Sequence, residues 1–302
     1  MIDWDCKIQP HIEPFFDSDS NTFSYLVQDP NSLSCAVIDS VLDFDYPSGS
    51  IGYESADGII DIIKRRGLDL QWLIETHVHA DHLSAAPYIQ EKLGGQIMIS
   101  QHIAQVQEEF GRVFNEGTRF QRDGSQFDKL LKDDEHYYLG ELPCIALYTP
   151  GHTPACMTHV LGNSAFVGDT LFMPDGGTAR ADFPGGCAQQ LYQSIQRVLE
   201  LSDDTALYMC HDYQPNGREL ECRTTVADQR ANNVHVGHGI SQQDYVQMRL
   251  ARDKTLGMPR LILPALQVNM RAGHFPVSQD NGTVYLKIPI NGLKPALITE
   301  DS

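Results

Sequence analysis

The sequence predicts an α+β fold in which two β-sheets face each other and helices cover the outer surfaces. Two observations point there. Short apolar runs of strand length recur along the chain between clusters of turn-forming residues. Their order is hairpin, helix, strand, helix, then a second series of hairpins and helices, which differs from the regular βαβ alternation of a doubly wound parallel sheet.

In chain order, "TFSYLVQDP" and "LSCAVIDSVL" read as strands joined through the polar turn "DPNS". "DFDYPSGSIGYESA" is rich in Gly, Ser and Pro and reads as a loop. "ADGIIDIIKRRG" has apolar residues at helical spacing and stops at Gly67, a C′ glycine. "LDLQWLIETH" is a buried strand, and "ADHLSAAPYIQEKLGG" a helix with an acid in its first turn. The strand "QIMIS", a helix over 102–114 and a loop, "NEGTRFQRDGSQF", follow. Then come the strands "HYYLGE", "CIALYTP", "MTHVLG" and "SAFVGDTLF", the amphipathic helix "GGCAQQLYQSIQRVLEL" and the strand "TALYMCHD". Residues 1–215 therefore form the expected catalytic core. Residues 216–302 read as an extension packed on it within one structural domain. The extension ends in a strand-like "TVYLKIPI" that offers an edge to a second copy, so a homodimer is expected.

Composition narrows the function. Hydrophobic residues make up 41% of the 302, and no apolar run approaches the roughly 20 residues of a membrane span. The first residues carry acids and no basic segment leading into an apolar core, so the expectation is a cytoplasmic protein without a membrane partner. A formal charge of −18 argues against nucleic acid as a partner. Between Arg218 and Arg271, however, eight Lys/Arg face five Asp/Glu, a locally basic stretch suited to an anionic ligand. The seven cysteines are odd in number and include no CxxC pair, which suggests neither a disulfide framework nor a zinc ribbon.

The chemistry is concentrated in "LIETHVHADHLSAA". His77 and His79 are two apart, so in extended chain both imidazoles face the same way, and Asp81 and His82 follow where a helix is expected to begin. Further ligand types recur after apolar β-runs: His152 in "YTPGHTPAC", Asp169 in "FVGDTLF" and His211 in "LYMCHDY". Five histidines and two aspartates at strand-to-loop junctions point to a metal site. Thiolate-free sites of imidazole and carboxylate suit Zn, Fe or Mn and are usually catalytic. Ligand type alone leaves one ion or two open.

The motifs "THVHADH", "GHT", "GDTLF" and "CHDY" resemble, in order and spacing, those of the metallo-β-lactamase superfamily over residues 12–215. That likeness implies a four-layer αββα sandwich with the site at one sheet edge. "MPDGGTARADFPGG" after Asp169, and "HDY" at 211–213, are similar to the persulfide dioxygenase (sulfur dioxygenase) branch, although Ala181 stands where its better-known members carry Thr. The segments "DTLFMPD", "GTARADFPGG" and "LILPALQVNMRAG" are also similar to bacterial β-lactamase hydrolase-like proteins, which extends the likeness over nearly the whole chain.

The branch implies one Fe(II) per chain held by His77, His152 and Asp169, with His79, Asp81, His82 and His211 around it as supporting groups. It implies glutathione persulfide and O2 as substrates, and sulfite and free thiol as products. Glutathione carries carboxylates, so the expected substrate residues are Arg180, Tyr213, Arg223 and Arg230. The rival within the superfamily is a thioester hydrolase of the glyoxalase II type, holding two Zn(II) with all seven ligands. A rival of another class is a non-catalytic metal- or sulfide-responsive binding module.

Overall fold

The computed structural model describes residue 4 and residues 6–293. The chain opens with β1 (His11–Asp17), β2 (Thr22–Gln28), β3 (Ser34–Ile38), β4 (Val41–Asp45), β5 (Ser50–Gly52) and α1 (Glu54–Arg66). It continues through β6 (Asp69–Ile74), β7 (Leu83–Ser84), α2 (Ala86–Leu93), β8 (Gln96–Ser100), α3 (Ile103–Val113) and β9 (Lys129–Leu131). The second half holds β10 (Glu135–Leu139), β11 (Leu142–Tyr148), β12 (Met157–Leu161), β13 (Ser164–Phe166), α4 (Ala188–Val198) and β14 (Ala206–Tyr208). Last come β15 (Arg223–Thr225), α5 (Val226–Asn232), α6 (Gln242–Asp253) and α7 (Ile262–Asn269).

Two six-stranded sheets result, ordered β1-β2-β3-β6-β8-β9 and β10-β11-β12-β13-β14-β15. Period-2 alternation assembles them into layers. Phe23, Tyr25 and Val27 of β2, Ala36 and Ile38 of β3, and Cys144 and Ala146 of β11 meet in the core between the sheets. The intervening Leu26, Cys35 and Val37 face the opposite way, onto α1 and α7 through Ile59, Ile63 and Ala265. Ile145 and Leu147 of β11 likewise turn outward to Leu191 and Ile195 of α4. Burial on both faces explains why these strands read as continuous apolar runs.

Several elements differ from expectation. The stretch 33–42 expected as one strand divides between β3 and β4, and the segment 43–56 expected as a loop holds the rest of β4 and all of β5, an antiparallel hairpin whose turn is closed by Gly49 N–H on Asp45 O at 2.8 Å. The helix expected at Asp81 begins at Ala86, with a proline in its first turn. "TVYLKIPI" forms no strand: Lys287 N–H and C=O bond the Gln267 side chain at 2.8 and 3.0 Å, so that side chain takes the place of a neighbouring strand. The division at residue 215 also falls inside the second sheet, because β15 lies beyond it and pairs with β14. Among the described residues no helix is long and apolar enough to cross a membrane.

Candidate metal centre

The segments bearing the seven predicted ligands leave the C-terminal ends of β6, β11, β13 and β14. Two glycines let them approach. Gly151, at φ 137°, lies against the backbone of Leu191, and Gly168, at φ 50°, against Thr76, with no room for a Cβ at either.

Five imidazoles are fixed by protein acceptors so that each leaves one nitrogen bare. Thr76 Oγ1 gives its proton to Asp39 Oδ2 at 2.8 Å, so His77 Nδ1–H donates to that hydroxyl at 3.0 Å and Nε2 keeps its lone pair. His152 Nδ1 donates to Arg180 O at 2.8 Å and His211 Nδ1 to Asn21 O at 3.0 Å. His82 Nδ1 donates to Asp81 Oδ2 at 3.0 Å. His79 is reversed: its Nε2 donates to Asp39 Oδ1 at 2.9 Å and leaves Nδ1 bare. His77 and His79 therefore offer different ring nitrogens, Nε2 and Nδ1, from rings whose centroids lie 4.0 Å apart. Such a hydrogen bond on the far nitrogen is what orients metal-ligating histidines.

His77 Nε2, His79 Nδ1, His82 Nε2 and Asp169 Oδ1 are buried without a hydrogen-bond partner. Buried polar atoms are rarely left so, and a cation is the partner this donor set fits. His77, His152 and Asp169 form one cluster, with Asp169 Oδ2 3.5 Å from His152 Nε2 and 4.0 Å from His77 Nε2. Two atoms each about 2.1 Å from a shared ion lie about 3.0–3.4 Å apart, so this cluster is close to ligand spacing. His79, Asp81 and His82 form a second cluster, and Asp169 Oδ1 lies 3.3 Å from His211 Nε2.

Charge follows this geometry. Burial and the neighbouring His79 and His152 hold His77 well below the ordinary histidine range, so it stays neutral as a ligand must. Burial opposes charge on Asp81, but His211 and His82 outweigh it and hold the carboxyl well below its ordinary range. Burial also opposes charge on His79, yet Asp39 and Glu75 push it up to about 10, so a cation at Nδ1 would displace a proton there. Burial, with Asp39 nearby, pushes Glu75 up to about 8.

Sequence reasoning missed Asp39, Glu75 and Asn269. Asp39 adopts φ 51° at the end of β3 and also accepts Thr76 N–H at 2.8 Å. Glu75 accepts from Ser84 Oγ at 2.6 Å. Asn269 of α7 donates to His79 O and His82 O at 2.9 and 2.8 Å and accepts Ser84 N–H at 2.8 Å. The extension thus clamps the metal loop. It also holds the 178–181 segment: Arg249 Nη1 donates to Thr178 O at 2.9 Å, and Asp253 accepts Ala181 N–H at 3.0 Å.

Beside the clusters opens a cavity of about 570 Å³ lined by His152, Asp169, His211, Phe172, Phe183 and Tyr213, among others. Of the expected substrate residues, Arg180 and Tyr213 line it. The Arg180 side chain is already engaged with Asp182 and Gly257 O. Tyr213 is exposed and stacks on His211, ring centroids 5.6 Å apart. Arg223 and Arg230 do not line it; Arg223 is on the edge strand β15, and Arg230 pairs with Asp203. Asp212 of "HDY" anchors Arg218 through both carboxylate oxygens, at 2.7 and 2.8 Å.

Two facing sheets with helices outside, and a His/Asp cluster at the strand ends, define a metal-site protein of the αββα class. The chain belongs to the metallo-β-lactamase superfamily, whose family model matches residues 18–211. It is 54% identical to a probable metallo-hydrolase of Burkholderia pseudomallei, over 93% of this chain and 99% of that one. It is 48% identical to a β-lactamase hydrolase-like protein of Agrobacterium fabrum over 94% of this chain, and spans 66% of that longer relative. Identity to the mitochondrial persulfide dioxygenase ETHE1 of Homo sapiens is 30%, covering 87% of this chain and 88% of that one. The crystal structure of ETHE1 from Myxococcus xanthus superposes with a TM-score of 0.69 at 28% identity, over 87% of this chain and all of that one.

Proposed function

We propose that the protein is a non-haem Fe(II)-dependent dioxygenase of the cytoplasm. It takes glutathione persulfide, or a related low-molecular-weight persulfide, with O2 and water to sulfite and free thiol in sulfide detoxification. The observation that carries this reading is the unequal state of the two carboxylates. Among the described residues Asp169 accepts no hydrogen bond at either oxygen, including Oδ2, which lies nearest His152 and His77, whereas Asp81 Oδ2 already accepts from Thr22 Oγ1 at 2.8 Å and His82 Nδ1 at 3.0 Å. His77, His152 and Asp169 would hold one ion, the two-His, one-carboxylate set suited to non-haem iron. Iron there supplies open coordination positions where O2 and an anionic sulfur can meet.

The chain's own residues prepare that place. Thr76 and the Arg180 carbonyl fix the ring nitrogens that His77 and His152 present. Phe172 and Phe183 give the cavity apolar walls that limit water. His211, held through Nδ1, keeps Nε2 toward Asp169 and the cavity, where it can hydrogen-bond a bound ligand. Identity to a persulfide dioxygenase supports the reading.

A second reading, a two-zinc thioester hydrolase, draws on the bare His79 Nδ1 and His82 Nε2 and on the hydrolase name of a relative. Oxygen uptake by Fe(II)-loaded protein given glutathione persulfide, with sulfite assayed, separates them. Uptake matched by sulfite is expected; thioester cleavage by zinc-loaded protein without uptake favours the hydrolase.

A further inference from the structure

Beside the cavity that opens on the metal clusters lies a second, much smaller hole of about 10 Å³, room for one small molecule. Its wall comes from the ligand-bearing segments and from two helices. Val78 and Ala80 alternate in sequence with His77, His79 and Asp81, and Thr153 follows His152. Val106 and Phe110 of α3 and Ile262 and Leu266 of α7 complete it. Ala80 and Phe183 line both spaces, so the hole adjoins the large cavity across these two side chains.

The hole offers little to water. Among the described residues Thr153 is its one polar side chain, and Thr153 Oγ1 is already bonded to Cys156 Sγ at 3.1 Å and accepts Ala155 N–H at 3.3 Å. The Pro154 carbonyl accepts the Tyr148 hydroxyl at 3.0 Å. A buried water needs roughly two to four polar partners, so this space stays dry. Protein interiors keep few such voids, and the atoms around a dry one forfeit contacts. A small apolar molecule restores those contacts and gives up no hydrogen bond on leaving water.

At Phe183 the partition toward the metal centre is a single ring. Phe183 meets His152 edge to face, ring centroids 5.3 Å apart, and the Arg180 guanidinium carbon sits 4.6 Å from the Phe183 centroid. The Arg180 carbonyl holds His152 Nδ1, so one residue positions both the ligand ring and the ring that separates it from the hole.

We propose that this hole is a holding site for a small apolar gas molecule, O2, next to the metal centre. The identity of the gas rests on the dioxygenase reading, while a dry apolar hole takes up a gas of this kind whatever the reaction. With the thiol in the large cavity, O2 has a place of its own behind the ligand segments, and the two reactants do not compete for one space.

The test is methyl NMR of the zinc-loaded protein under O2 and under argon, because O2 is paramagnetic and Zn(II) has a filled d shell. O2 is expected to speed relaxation of the Val78, Val106, Ile262 and Leu266 methyls more than that of the likewise buried Val160, Ile195 and Leu207 methyls, which belong to a different apolar cluster. V106L and L266F each fill the hole, and in each the O2 effect on the remaining wall methyls should be lost. Equal relaxation of the two sets in the unaltered chain overturns the site, a result that needs no variant to fold. Oxygen uptake by the Fe(II)-loaded protein keeps the two claims apart. Both variants should raise KM for O2 about 10-fold, the equivalent of about 1.4 kcal/mol, with KM for glutathione persulfide unchanged. Selective relaxation without uptake preserves the gas site and sinks the dioxygenase. Uptake with unchanged KM for O2 in both variants preserves the dioxygenase and sinks the holding site.

Discussion

Asp169 and Asp81 bring the same carboxylate to the same cavity, and the fold treats them differently. Asp169 follows β13 on a backbone bent at Gly168, faces His77, His152 and His211, and keeps an oxygen without a hydrogen bond. Asp81 sits before β7 with one oxygen satisfied by Thr22 and His82. A carboxylate short of partners is prepared for a cation, whereas one already hydrogen-bonded serves to orient its neighbours. The comparison teaches that seven ligand-type side chains do not make seven equal ligands.

The largest effect is expected from Asp169→Ala. It removes the only carboxylate in the His77 and His152 cluster, so metal content after gel filtration should fall to background and activity with it. Asp81→Asn should be milder: metal per chain unchanged, with affinity or turnover lower by about 10–100-fold, as for an outer-shell change. Loss of half the bound metal in that variant would show Asp81 to be a ligand. The smallest effect on the metal centre is expected from Asn269→Ala, which leaves every ligand in place. It strips partners from two buried carbonyls and one N–H of the metal loop, so denaturant unfolding should show a loss of about 2–4 kcal/mol.

The meeting of the seven ligand-type side chains was legible because each segment follows an apolar β-run, and the strands were legible as continuous apolar runs because both their faces are buried. Other features lacked a local signal. Asp39 sits at the end of "AVIDS", where an acid closing an apolar strand was the available clue. Asn269 acts on His79, 190 residues away, through a hydrogen bond that no spacing rule encodes. β1 contains Pro14, which weakens a strand reading; β1 is an edge strand, where a residue without N–H is tolerated. Pro87 was the better marker for the start of α2 than the acid at Asp81. Arg180 was a reasonable substrate residue from its place after Asp169, but Asp182, two residues on, occupies its guanidinium.

The central claim is that one cluster, His77, His152 and Asp169, takes the ion. Its most direct test is the metal stoichiometry of the unaltered chain, loaded anaerobically with Fe(II) and Zn(II) in competition and analysed by elemental mass spectrometry. One iron per chain with little zinc is predicted. Two zinc ions per chain with no iron would contradict the account.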